Sequence, residues 1–490
     1  MCALLAWAAA LHAAMLSGIV EESGSSKPLS GAQVVVSQIG TTSGGVHSVR
    51  TGRNGGFEIL SLPAGVYVIK ASRTGFMPME YGQKRWNSAG TPVTIGDNGL
   101  SVTLRLPRYG GITGTIVDEN DVGWLEGDVL AYRCAEGKPP ELAARGRSDE
   151  RGVFRLSGLE PGIYLVRSAP MQNDFGSFLP TFSKQTMDPL QSRPFEVYLE
   201  QDTPGVEVQP VEGKLFTLSG IVLASPPGTP ATVTLASDMG RQTVQGSSFR
   251  FTGLAPGAYE IYGESIGVAP IQAAYQALPL DHDTDIKLQL TQLPERRVDV
   301  TPKPPGGTAA IHILRRRRDL AGAGEPEPMP VGANGLALMR PGRWEFMLTP
   351  PDGYYVASFS GRPLNQRDVS RADGWNEAAP NNQIWFALSP GPAAVQGSVK
   401  VAGDPAVGAP VYLEAYDPAT QRRLLDLRTT RTDLRGAYRF DGLPPGVYRV
   451  LSTFEYNSPT VAQMELAGAR TVDVPHGGNP TVDLELYEIR

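Results

Sequence analysis

Two cysteines, Cys2 and Cys134, and five histidines, His12, His47, His282, His312 and His476, are all that the 490 residues hold of these types. With Cys2 in the extreme amino-terminal stretch, an internal disulfide framework is excluded. The two nearest histidines, His282 and His312, are 30 residues apart, and none has a glutamate three positions on. A hydrolytic zinc site needs such ligands at helical or loop spacing around a position left for water. The sequence therefore predicts no metal, no cofactor and no metal-borne catalysis. A glycine-rich phosphate loop ending in Gly-Lys-Ser/Thr and a G-x-S-x-G nucleophile elbow are also missing. The expectation is a protein that is not an enzyme.

Charge is scarce too. A net charge of −6 over 52.4 kDa gives a mildly acidic surface and no footprint for nucleic acid. The one basic run, Arg315 to Arg318, reads as a solvated edge strand or hairpin tip, where charge defends against aggregation. No segment reaches transmembrane length. The opening "MCALLAWAAALHAAM" is too short to cross a bilayer and fits the apolar region of a signal peptide, residues 1–14, cut near Ala13 or Ala14. This predicts an exported protein, periplasmic, outer-surface or secreted. Beyond that stretch no twelve-residue window keeps an apolar 3-4 stripe free of Gly or Pro, so helices are not expected.

Glycine and proline are abundant: 56 and 42 residues, about one fifth of the chain, placed between apolar alternations. Such punctuation belongs to an all-β protein. One phrase recurs four times: "LPAGVYVIKAS" from Leu62, "LEPGIYLVRSA" from Leu159, "LAPGAYEIYGE" from Leu254 and "LPPGVYRVLST" from Leu443. Each follows a polar turn and an alternating aromatic segment, as in Phe154-Arg155-Leu156 and Tyr438-Arg439-Phe440, the period of a half-buried strand. Each unit opens on a second marker: "LSGIVEES" at Leu16, "ITGTIVDEN" at Ile112, "LSGIVLAS" at Leu218 and "VQGSVKVAG" at Val395. From the marker glycine to the tyrosine the distances are 49, 50, 39 and 51 residues, so the third copy is a shortened one. "GLALMRPGRWEFMLTPP", from Gly335, keeps the Pro-Gly turn with Trp344 in place of tyrosine, a fifth and drifted copy.

The periodicity predicts an all-β chain of tandem Greek-key β-sandwiches, transthyretin-like or Ig-like, each of roughly seven strands. The expected domains are 15–107, 108–212, 213–293 (shortened), 294–391 (degenerate) and 392–490, behind the signal peptide. Tyr67, Tyr164, Tyr259 and Tyr448, with Trp344 as substitute, are expected to pin a corner, ring inward and hydroxyl on backbone.

The markers together, G-x-[IV], an aromatic and "GL-x-PG-x-Y", resemble the carboxypeptidase regulatory-like domain of bacterial secreted proteins. The resemblance implies a prealbumin-type sandwich among carbohydrate-binding-like folds, near the B-type repeats of collagen-binding adhesins. "MEYGQKRWNSAGTPVTI", from Met79, resembles a segment of multi-domain members. It does not imply a peptidase, because in such enzymes a separate zinc domain does the chemistry. B-type repeats often carry a Lys–Asn isopeptide bond helped by a glutamate four residues after the tyrosine. That offset holds Ala71, Ser168, Gly263 and Ser452 here, so ordinary packing is expected to hold each sandwich.

Aromatics on polar segments are the remaining functional hint. Tyr81, Gln83 and Trp86, and Trp375 with Asn376, offer flat faces for sugar rings and amides for their hydroxyls; the competing reading makes them plugs between domains. "VDENDVG", from Val117, lacks the glycine and closing glutamate of an EF-hand and reads as a polar loop. The sequence thus points to a binding or spacer module at the cell envelope, with polysaccharide or an envelope protein as partner. An accessory part of a secreted peptidase and a pure scaffold are the alternatives. Oligomeric state is not readable from the chain.

Overall fold

The computed structural model of the chain describes residues 14–490 apart from 41–44, 97, 136–139, 174–175, 239, 304–311, 361, 364–374, 379–383, 425 and 490. The expected signal peptide lies outside the described residues except for Ala14, which opens strand Ala14–Glu22.

The protein is all-β, and one wiring recurs five times. In each copy the marker strand has a partner on both sides. It pairs antiparallel with the strand before the Pro-Gly turn and parallel with the last strand of the copy. Ala14–Glu22 lies between Gly56–Leu62 and Leu100–Leu106, and Gly110–Ile116 between Val153–Leu159 and Asp202–Val208. Phe216–Leu223 and Ala393–Val401 sit likewise between Ser248–Leu254 and Thr284–Gln289, and between Ala437–Leu443 and Leu484–Glu485. The drifted copy obeys the same plan: Glu295–Thr301 pairs with Leu336–Leu338 and Ile384–Pro390. The tyrosine strand crosses to the second sheet, where it pairs with the strand that follows the marker, for example Gly65–Ser72 with Gln33–Gln38.

Local sequence explains the crossover. The pairing shifts register in the four clear copies just before the Pro-Gly turn, between Ser157 and Leu159 in the second. The extra residue there is Gly158, Gly253 or Gly442, or Ser61 in the first copy, with φ of 80°, 68°, 71° and 64°. A bulge in that left-handed conformation favours glycine, which is why the phrase reads "GL-x-PG".

Each sandwich buries its own apolar interior. Leu16, Phe57, Ile69 and Leu104 belong to the first, Ile112, Phe154, Val166 and Val206 to the second, and Leu218, Phe249, Ile261 and Leu288 to the third. Val298, Phe346, Phe359 and Phe386 fill the fourth, and Val395, Phe440, Val450 and Leu484 the fifth. The third sandwich is short in its connections, not in its strands, for it has three in one sheet and five in the other.

Two features depart from expectation. A six-residue helix, Val461–Leu466, sits on the fifth sandwich, capped by Thr460 and Gln463, and buries Met464 against Tyr412 and Leu451. It is too short for a periodic stripe, though Thr460 and Gln463 have the spacing of a capping box. The sandwiches also do not follow one another simply in space. They fall into two compact units, one containing the first and fifth sandwiches and ending at Tyr109 and resuming at Pro392, the other Gly110–Gly391. The first and the last sandwiches, remote in sequence, are thus neighbours.

Candidate functional site

The recurring tyrosines are corner pins. Tyr67, Tyr164, Tyr259 and Tyr448 donate their hydroxyls to the carbonyls of Pro63, Glu160, Ala255 and Pro444, four residues back, at 2.7–2.8 Å. Their rings lie in the cores, and burial pushes the Tyr259 hydroxyl up to about 12. Trp344 performs the same task one residue out of step, donating Nε1 to the Pro341 carbonyl at 3.0 Å.

The marker glycine and the aromatic after the polar turn form one lock. A Cβ on Gly18, Gly114, Gly220 or Gly397 would lie 2.0–2.3 Å from a carbonyl oxygen of the parallel strand and 2.7–3.1 Å from the ring of Phe57, Phe154, Phe249 or Tyr438. In the fourth sandwich the register puts Arg296 opposite Ala337 at the corresponding place. Neither ring nor glycine stands there. This substitution, rather than a different fold, makes the copy hard to see in the sequence.

The candidate glycan residues divide between two sandwiches. In the first, Gln83 is consumed by its own loop: its Oε1 accepts from Glu80 N at 2.8 Å, and its Nε2 donates to the Arg85 and Trp86 carbonyls at 2.9 Å. Tyr81 and Trp86 are half-buried. The loop meets the fifth sandwich, where Lys84 Nζ and Arg85 Nη2 lie 3.3 and 2.5 Å from the Glu455 carboxylate. In the fourth, Trp375 is 5% exposed, with the Arg316 guanidinium 4.4 Å above its ring, and Asn376 is buried with Nδ2 3.5 Å from the Phe346 carbonyl. The Trp375 face that a sugar ring would need is covered.

The basic run is neither solvated nor a hairpin tip, which corrects the sequence reading. Strand His312–Asp319 pairs along its length with Arg343–Thr349. Arg315 reaches Glu327 at 2.8 Å, and Arg316 and Arg318 share Glu345 at 2.6 and 3.1 Å. Arg317 lies 4.7 Å over the ring of Tyr262, in the third sandwich. The partners come from far along the chain, so the run looked unpaired.

These charges build the joint between the third and fourth sandwiches. Arg340 donates to both oxygens of Glu264 at 2.6 and 2.9 Å, and Arg241 forks onto Asp319 at 2.8 and 2.7 Å. Glu260 accepts from Leu320 N at 3.0 Å and from the Tyr275 hydroxyl at 2.9 Å. Burial opposes ionisation of Glu264, but hydrogen bonds from Arg340 and Tyr262 outweigh it and hold its carboxyl below the usual range. Burial first, then the Glu264 charge, pushes the Tyr262 hydroxyl far up. Sequence reasoning missed this joint. Its signal was the residue after the third corner: Glu260 is charged where the corner strand meets the fourth sandwich, at Leu320 and Arg343.

Among the described residues no three His, Cys, Asp or Glu side chains converge as a metal site would require. In "VDENDVG" the Asp118 carboxylate accepts from Asn120 N and Val122 N at 2.8 and 2.9 Å, an ordinary Asx turn. Beside the second and third sandwiches lies an open cleft of about 630 Å³, lined by Ser177, Glu212, Lys214, Phe216, His282 and Asp283. Burial raises the Cys134 thiol, so it is a poor nucleophile.

With this geometry in view, comparison places the first sandwich in a class: the family model of the carboxypeptidase regulatory-like domain matches residues 15–105. The chain is also similar to solved pilin structures. The match to the minor pilin GBS52 of Streptococcus agalactiae has 14% identity over 41% of this chain and 98% of the pilin, with a TM-score of 0.24. That to BcpA, the major pilin subunit of Bacillus cereus, has 9% identity over 57% and 99%, with a TM-score of 0.18. No curated protein matches the chain.

Proposed function

We propose that the protein is an exported, non-enzymatic structural module of the cell envelope, a set of sandwiches whose task is to hold and space, with binding as a second capacity. One observation carries this reading. The charged side chains that would otherwise suit chemistry are spent on joints: Arg241, Glu260, Glu264, Asp319 and Arg340 between the third and fourth sandwiches, and Lys84, Arg85 and Glu455 between the first and fifth. The pairs between the third and fourth sandwiches, largely buried and multiply hydrogen-bonded, fix the geometry of that contact more than they strengthen it, which suits a scaffold. Export is supported by the amino-terminal apolar stretch: a cut after Ala13 would leave strand Ala14–Glu22 whole.

Carbohydrate binding is the finer version, and it rests on the half-buried Tyr81 and Trp86. A glycan array with the purified chain beside Trp86→Ala tests it. Retention of a polysaccharide by the native chain and its loss in the variant supports the sugar version; no retention leaves the scaffold. Proteolytic stability of the chain, with the joints intact and with Glu264→Ala, tests the scaffold itself: unchanged cleavage between the third and fourth sandwiches would sink it.

A further inference from the structure

The first and fifth sandwiches are joined covalently only through residues 108–391, yet they dock. Among the described residues five polar contacts cross between them, beside apolar packing of Ile39 and Pro92 on Gly408. Glu455 takes Lys84 and Arg85, and Arg431 Nη2 lies 3.0 Å from Glu80 Oε2. Ala89 N donates to the Phe454 carbonyl at 2.8 Å, and Asn457 N to the Asn87 carbonyl at 2.6 Å.

Each side is shaped by its own sandwich before it meets the other. Loop 79–91 is tied by Gln83, by Gly90 N on Glu80 Oε2 at 2.8 Å, and by Ser88 Oγ on the Arg85 carbonyl at 2.9 Å. Segment 453–457 is tied by Thr453 Oγ1 on the Tyr487 carbonyl at 2.8 Å, Glu455 N on Thr453 Oγ1 at 3.0 Å, and the Tyr412 hydroxyl on the Tyr456 carbonyl at 2.5 Å. Preformed surfaces lose little conformational freedom on meeting and keep their shape on parting. The charges that join them are partly in water: Lys84 and Arg85 are 68% and 47% exposed in their side chains. Their cations stand in water while Glu455 is 6% exposed, so salt screens these pairs from the solvent side.

We propose that loop 79–91 and segment 453–457 form a reversible electrostatic clasp, whose partner is the other end of the same chain. Closed, it ties the first sandwich to the last. Open, it frees both preformed surfaces without unfolding either sandwich. Because both surfaces belong to one chain, closure is intramolecular and does not depend on protein concentration.

The test uses the full chain with Cys2→Ser and Cys134→Ser, carrying Asn87→Cys and Asn457→Cys, and a short bismaleimide as probe. Intramolecular cross-linking is expected to slow roughly tenfold when Glu455→Arg is added, the loss of about 1.4 kcal/mol of closure. Adding Lys84→Glu and Arg85→Glu to that variant is expected to restore the rate, which a misfolded fifth sandwich would not allow. Raising salt from about 0.1 M to about 1 M, which shortens the screening length from about 10 Å to about 3 Å, is expected to slow the parent as well. Equal rates in the parent and Glu455→Arg, or cross-links forming only between molecules, would overturn the proposal.

Discussion

Glu414 and Arg449 face each other across two adjacent strands of the fifth sandwich, Arg449 Nε donating to Glu414 Oε2 at 2.7 Å, with side-chain exposures of 0% and 2%. Arg423 holds the other oxygen at 2.7 Å, Glu465 takes Arg449 Nη1 at 2.7 Å, and the ring of Tyr416 lies 3.9 Å from the guanidinium. Removing one partner strands a buried charge. Arg449→Met is expected to destabilise the fifth sandwich by about 3–5 kcal/mol, and Glu414→Leu with Arg449→Met to recover much of that loss. Calorimetry of the full chain checks this, because one transition should move and the others stay.

The corner hydroxyls give a smaller, repeated effect. Tyr164→Phe keeps the ring in the core but leaves the Glu160 carbonyl without its donor. A loss of about 1 kcal/mol in the second sandwich is expected by denaturant unfolding. No change would mean that the hydroxyl is an accessory to packing.

The glycine lock predicts an asymmetry between copies. Gly220→Ala drives a Cβ to 2.1 Å from the Ile286 carbonyl oxygen and should cost the third sandwich about 3 kcal/mol. Pairing it with Phe249→Ala should not rescue it, since the backbone oxygen remains. Arg296→Ala in the fourth sandwich should be mild by the same thermal measurement, because no ring opposes it.

Acid should loosen the joint between the third and fourth sandwiches. Glu264 has a folded pKa below its unfolded value, so its contribution is fully present above the unfolded pKa and is lost as pH falls through the folded one. Glu264→Gln is therefore expected to be less stable than the parent at neutral pH and to converge with it in strong acid. Thermal scans across that range decide it; a constant gap would refute the linkage.

What the sequence told well was whatever is local. The Pro-Gly turn, the bulge glycine before it and the tyrosine after it lie within a few residues, and their spacing reports one hairpin. The fourth sandwich was legible only by its turn, since Arg296, Ala337 and Trp344 replace all three other landmarks. Charges were read poorly for the opposite reason. Arg316 finds Glu345 and Arg340 finds Glu264 only because the fold brings distant strands together. Trp375, set among glycine and asparagine, reads as a sugar face or an inter-domain plug, and only the fold places Arg316 over its ring. The docking of the first sandwich on the fifth depends on the path of everything between them, which no local pattern encodes.

The parallel pairing of opening and closing strands has a mechanical consequence. A pull on the two termini of such a sandwich loads that ladder in shear, so its hydrogen bonds must fail together and not one by one. The first sandwich sets seven residue pairs against such a load, from Leu16 with Leu100 to Glu22 with Leu106, the fourth sets four, and the fifth sets three, Gln396 with Thr481, Val399 with Leu484 and Lys400 with Glu485. Under tension the chain carries a built-in order of yielding, weakest at its carboxyl end.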